Sequence, residues 1–259
     1  MDTILQVRHE RFKYSQGIDS MTMRKTSLLL LASILAASVS ASADEMLSNE
    51  VVSDWGGFYV GAHGGYAWGD NASTAIGSRL QTIITDNNLS DSDYDSSPTG
   101  AVGGLQAGIN LVVDPMFLLG VEATVGYGGL SDTITDPYAP GITDPVISNE
   151  IDWYGTVRAR AGYIAGPNLF YGTGGFAWAH ASVSMTSPGL PDQSATLTGW
   201  VVGAGVERQL TDKISIKTEY LYTDYGSHTW FADSPADGDY ATAADVDVHS
   251  LNMGMNFHF

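Results

Sequence analysis

From Gly57 onward the chain breaks into eight stretches of 11–13 residues with period-two alternation: 57–68, 100–112, 116–127, 151–163, 169–179, 199–210, 214–225 and 247–259. The connections between them are 31, 3, 23, 5, 19, 3 and 21 residues long, so long and short alternate without exception. A soluble sandwich, whose loops vary freely at both ends, does not produce that pattern. An outer-membrane barrel, with tight turns on one side of the bilayer and long loops on the other, does. The short connections carry Asp114-Pro115, Gly166-Pro167-Asn168 and Thr211-Asp212-Lys213, residues suited to tight turns. The expected fold is therefore all-β: an eight-stranded antiparallel transmembrane β-barrel with short periplasmic turns and long acidic extracellular loops.

Side-chain parity supports this reading. In 116–127, Phe117, Leu119, Val121, Ala123, Val125 and Tyr127 share one face, while Glu122 and Thr124 lie on the other. In 151–163, Ile151, Trp153, Val157, Ala159, Ala161 and Tyr163 oppose Asp152, Tyr154, Thr156, Arg158 and Arg160. The last strand sets Leu251, Met253, Met255, Phe257 and Phe259 against Asn252, Gly254, Asn256 and His258. Apolar-out and polar-in is the pattern of a membrane barrel. Aromatics at the strand ends (Phe58, Trp68, Tyr127, Trp153, Tyr163, Trp200 and Phe259) suit two interfacial girdles. In 169–179, Phe170, Phe176 and Trp178 oppose Leu169 and Tyr171, and parity leaves the facing open.

Composition narrows the function classes. The net charge of −18 argues against nucleic-acid binding, and the absence of cysteine excludes a disulfide framework or a thiolate site. Arg24 and Lys25, the apolar run around Leu28–Ala36, and Ala41-Ser42-Ala43 read as a signal peptide cleaved after Ala43. The expected organisation is a misassigned-start extension over 1–20, a signal peptide over 21–43, a short periplasmic segment over 44–56 and the barrel over 57–259. Processing removes five basic and three acidic residues, leaving 6 against 26.

Trp55-Gly56-Gly57-Phe58-Tyr59-Val60-Gly61, Gly120-Val121-Glu122-Ala123, Trp153 to Arg160, Lys217 to Tyr222 and the terminal Asn256-Phe257-His258-Phe259 carry a resemblance. The chain resembles the porin-family outer-membrane β-barrel proteins of alphaproteobacteria, a group that includes major surface antigens and heme-binding members. The resemblance covers roughly 55–259. It implies localisation in the bacterial outer membrane and insertion by the outer-membrane assembly machinery, with Phe257 and Phe259 in the strand which that machinery reads. It implies no catalytic residue, and it carries over no ligand or host-surface partner; no cofactor is expected.

Glu122, Asp152, Arg158, Arg160, Glu207, Lys217 and Glu219 are expected inside the barrel as a lumen charge network. An eight-stranded interior is narrow enough for side chains to fill it, so a plug of paired charges is expected, with a narrow cation-preferring channel as the alternative. Counting across the last tight turn sets Glu207 opposite Lys217 as an ion pair. Glu122 falls near Thr156, within diagonal reach of Arg158. The acidic loops read as solvated and extended, with weak divalent-cation bridging to lipopolysaccharide as a sharper possibility. Asp91 to Asp95 opens like an EF-hand but has Ser96 in place of glycine and Val102 in place of the twelfth-position glutamate, which rejects that motif. His228, Trp230 and Phe231, with Tyr225 nearby, offer imidazole beside flat aromatic surface, as a heme contact needs. His180 and Ser182 form the remote alternative of a lipid A-modifying surface hydrolase, for which no orienting carboxylate is identifiable.

Overall fold

A computed structural model describes residues 55–135, 146–185, 192–231 and 241–259. The expected cleavage residues Ala41 and Ala43 lie outside the described residues. Eight strands form a closed antiparallel barrel in sequence order: β1 Gly57–Ala75, β2 Thr99–Asp114, β3 Phe117–Thr135, β4 Val146–Ala165, β5 Asn168–Met185, β6 Gln193–Thr211, β7 Ile214–Trp230 and β8 Thr242–His258. β1 pairs with β8 from Tyr59↔His258 to Ala75↔Thr242, which closes the ring.

At the short-turn end only two residues separate the strands of each hairpin. Gly166 supplies the left-handed conformation there (φ 59°), and the Thr211 hydroxyl accepts from the backbone of Lys213 and Ile214. At the other end the strands run well past the alternating segments read from sequence, to 16–20 residues each. Strands of about 9–11 residues suffice to cross the hydrocarbon, so the barrel continues beyond the bilayer as a wall at its long-loop end.

The outer surface is apolar through the crossing. Leu105, Leu119, Val121, Val125, Val157 and Val202 are among its exposed residues. Phe117 and Tyr163 meet edge-on at the short-turn end, and Tyr127–Trp153 and Trp200–Tyr222 do so at the other. These are the two expected girdles. β5 resolves its own ambiguity: Leu169, Tyr171 and Ala177 are buried in the lumen, while Phe176 is exposed outside.

Two bulges change which residues face inward. In β4 the register against β5 shifts between Ile151 and Tyr154. Below the shift Tyr154, Thr156, Arg158 and Arg160 point inward; above it Ile147 and Ile151 do. In β7 the register against β8 shifts between Asp224 and Ser227, where Gly226 takes φ 67°. This bulge turns Trp230 inward.

The connection after β1 differs from the expected extended acidic loop. It folds into α1, Ser78–Asp86, with Leu80 and Ile83 buried, and a 3-10 turn over Asp91–Tyr94. The chain then returns along the free edge of β1: Gly69 N donates to Pro98 O, and Asn71 and Ser96 exchange backbone bonds. Asp95 accepts from Ser73 N at 2.8 Å, Asp91 from Ala75 N at 3.2 Å and Asp132 from Ser97 N at 2.7 Å. The carboxylates hold backbone donors that no strand reaches, which offsets their mutual repulsion.

Candidate functional site

The lumen is stacked in three layers. At the short-turn end Trp55, fully buried, packs with Leu118, Ile164, Leu169 and Tyr171 as an apolar stopper. Its indole lies 6.0 Å from the His258 ring, edge-on. The residue precedes the barrel strands in sequence, so strand periodicity gives no sign of it.

Above the stopper sits the charge layer. Arg158 and Arg160 are successive inward positions of β4, and Lys217 and Glu219 are successive inward positions of β7. Glu122 comes from β3 and Glu207 from β6. Glu122 is the hub. It is fully buried, pairs with Arg158, and accepts from Lys217 Nζ at 2.9 Å and Tyr59 OH at 2.8 Å. Arg158 also meets Glu219 at 2.9 Å, and Glu219 accepts from Tyr171 OH at 2.9 Å. Arg160 meets Glu207 at 2.7 Å, and its guanidinium lies 4.0 Å over the Tyr171 ring. Glu207 further accepts from Ser215 and Asn256 at 2.5 and 2.6 Å. Three carboxylates therefore face three cations, and tyrosine, serine and asparagine donors also bond to the carboxylates. Burying charges at this depth requires such pairing.

Three sequence expectations need correction. Glu207 does stand opposite Lys217 in register, but the expected ion pair does not form. Lys217 crosses the narrow lumen to Glu122, and Glu207 is held by Arg160, Ser215 and Asn256. Glu122 stands directly opposite Arg158, two residues from the Thr156 register. Asp152 is not in the layer: it lies half-buried at the β4 bulge, where the facing reverses, and none of the described ion pairs includes it. Sequence reading also missed Tyr59, Tyr171 and Ser215; Tyr59 and Ser215 sit at inward-parity positions and could have been found by that rule.

The third layer is an apolar chamber at the long-loop end, built from residues such as Leu130, Ile151, Val183, Leu197, Trp230 and Phe231. A cavity of about 70 Å³ lies within it, and another of about 60 Å³ lies between Leu130 and Ile151 on one side and Arg158, Lys217 and Glu219 on the other. The residues of the heme-contact expectation lie at this chamber. The bulge at Gly226 turns Trp230 into the chamber, Phe231 is buried beside it, and the His228 ring stands edge-on to Trp230 at 4.7 Å. Trp230 and Phe231 line the cavity of about 70 Å³.

His180 and Ser182 both face outward on β5, opposite Thr196 and Ser194 of β6. Among the described residues no hydrogen bond joins His180, Ser182 and a carboxylate. Among the same residues no group of three or more histidine, aspartate or glutamate side chains is arranged to hold a metal ion. Phe257 and Phe259 are exposed on the outer surface, and Phe259 N donates to Phe58 O at 3.0 Å.

With the barrel and its lumen described, comparison with known proteins decides the family. The outer membrane protein beta-barrel domain matches residues 28–259. The chain belongs to that family. Members of this outer-membrane barrel family reside in the outer membrane, and so does this chain. It is 29% identical over 253 residues to the 31 kDa outer-membrane immunogenic protein of Brucella melitensis, covering 88% of this chain and all of that protein. It is 32% identical over 203 residues to the 22 kDa outer membrane protein of Rhizobium leguminosarum, covering 78% of each. Among solved structures, Neisserial surface protein A is similar at 18% identity and a TM-score of 0.43, covering 78% of this chain and 97% of that one.

Proposed function

We propose that this barrel is a non-enzymatic, non-conducting component of the outer membrane that stabilises the envelope and presents its long-loop end as a surface antigen. One observation carries the reading: paired charges from β3, β4, β6 and β7 meet across the lumen, with the Trp55 cluster on one side and the apolar chamber on the other. An ion entering would have to leave water, cross an apolar layer and displace a buried ion pair, each step costing several kcal/mol. The names of the Brucella relatives support the surface-antigen part. Lipopolysaccharide around the girdles and the assembly machinery at the Phe257–Phe259 strand are the partners this role requires.

Planar-bilayer recording of the refolded protein tests the reading. A sealed lumen gives no unitary current steps. Reproducible cation-selective steps would overturn it in favour of the narrow channel. Lipid A of unchanged mass in a deletion strain is the matching expectation against a hydrolase.

A further inference from the structure

Between the charge layer and the apolar chamber lies the cavity of about 60 Å³, bounded by strand residues of β1, β2, β3, β4, β7 and β8. Its chamber side is apolar, with Leu130, Ile151 and Val248. Its other side is polar: Arg158, Lys217 and Glu219 come from the charge layer, and His63 and Asn252 stand beside them. Asn252 is the cross-strand neighbour of Glu219, and Gly254 has Lys217 on one side and His63 on the other. Three of these side chains carry a buried polar atom that hydrogen-bonds to no other described residue: Arg158 Nε, Asn252 Oδ1 and His63 Nδ1. Arg158 is 1% exposed and Asn252 5%.

Their remaining polar atoms are engaged. Arg158 pairs through Nη2 with Glu122 and through Nη1 with Glu219. Asn252 Nδ2 donates to Ser250 Oγ at 2.9 Å, and His63 Nε2 lies 2.8 Å from Tyr154 OH. An unpartnered buried polar atom keeps its full desolvation penalty, and three on one cavity call for a common partner. Their roles select it. Arg158 Nε–H only donates, and Asn252 Oδ1 only accepts. An anion would satisfy the first and be repelled by the second and by Glu219. A cation would face Arg158 and Lys217. An apolar guest would leave all three atoms unbonded. The layer's three carboxylates already face three cations, so no surplus charge calls for an ion. Water both donates and accepts, and at about 30 Å³ per molecule the cavity takes about two.

We propose that this cavity is a water-binding site, in which about two ordered molecules bridge Arg158 Nε, Asn252 Oδ1 and His63 Nδ1. The waters join β4 to β8 and β1 above the ion pairs, so that solvent completes the charge layer on its chamber side. Leu130, Ile151 and Val248 stand over them, and exchange with outside water waits for local opening of the barrel. The water is therefore held. That distinguishes the site from the freely exchanging water of an open channel, and takes it beyond the non-conducting reading.

The test compares the full barrel, refolded in lipid, with Asn252→Leu, which removes the acceptor and places a branched apolar side chain in the space. Gel mobility with and without heating establishes that the variant is folded. Oxygen-17 relaxation dispersion counts long-lived internal waters, and the native barrel should hold about two more than the variant. Crystals of the native barrel give a second measurement that needs no variant. They should show solvent density at about 2.7–3.2 Å from both Arg158 Nε and Asn252 Oδ1. Crystals soaked in bromide should show no anomalous peak in the cavity. Equal water counts in the native barrel and the folded variant would overturn the proposal. So would a cavity without density in an ordered crystal, a bromide peak within it, or Arg158 Nε bonded to a protein group.

Discussion

Replacing Glu122 by glutamine interrogates the charge layer at its hub. The substitution keeps the shape that Arg158, Lys217 and Tyr59 surround but leaves three buried cations facing two carboxylates. At the 2.9 Å separating Lys217 Nζ from Glu122, attraction at an effective dielectric constant of 20 is about 6 kcal/mol. The cation's desolvation remains after the change, so most of that attraction appears as a loss. Breaking a buried pair typically costs about 3–5 kcal/mol, and Glu122→Gln should fall in that range. Lys217→Met alone leaves a surplus carboxylate and should cost about as much. Together they restore neutrality, with Arg158 left to Glu219 and Arg160 to Glu207. The double variant should therefore lose about 2–4 kcal/mol less than the sum of the singles. Glu207→Gln combined with Lys217→Met serves as the control, with coupling below about 1 kcal/mol despite facing positions in register. Urea unfolding in lipid vesicles, followed by tryptophan emission, measures all of these. A Glu207–Lys217 coupling equal to or larger than the Glu122–Lys217 one would refute the cross-lumen arrangement.

Trp55→Ala should cost about 3–5 kcal/mol in the same assay, because the stopper leaves a cavity among Leu118, Ile164 and Leu169; a loss below about 1 kcal/mol would show that the indole does not seal this end. Gly61→Ala should abolish refolding, since its Cβ would overlap Met255 O and Asn256, whereas Gly172→Ala should fold normally, its nearest neighbour being 4.0 Å away. Gel mobility with and without heating separates the two outcomes. Removal of Phe259 should lower the amount of folded protein in the outer membrane, as quantified by heat-modifiable protein in membrane fractions.

The strands and their facing were legible in the sequence because alternation is local and repeated. β3 shows it without interruption from Leu118 to Leu130. The rule failed where one extra residue reversed it, and Asp152 and Trp230 both stand just at or beyond such a residue. Register across the last tight turn was legible, but partner choice was not. Counting along a hairpin finds neighbours on the sheet, whereas Lys217 is long and the lumen narrow enough that its partner lies on β3. The helix α1 left a faint mark in Leu80 and Ile83, three residues apart. The apolar chamber gave none, since its residues come from nearly every strand and alternate with exposed hydroxyls.

The charge layer also bears on how the chain can enter a membrane. Glu122 and Lys217 are 95 residues apart, and Arg160 reaches Tyr59 across 101. The two hairpins that carry most of the layer are unbalanced: β6–β7 holds two of its carboxylates and one cation, and β3–β4 the reverse. A hairpin that inserted by itself would bring an unmatched charge into hydrocarbon, at a cost of about 2–4 kcal/mol near the midplane. Partly inserted intermediates are therefore disfavoured until β3, β4, β6 and β7 come together, and the Tyr59 bonds are completed only when β1 joins them. Insertion and ring closure become one cooperative event, in which a barrel that fails to close is also one that fails to stay in the membrane.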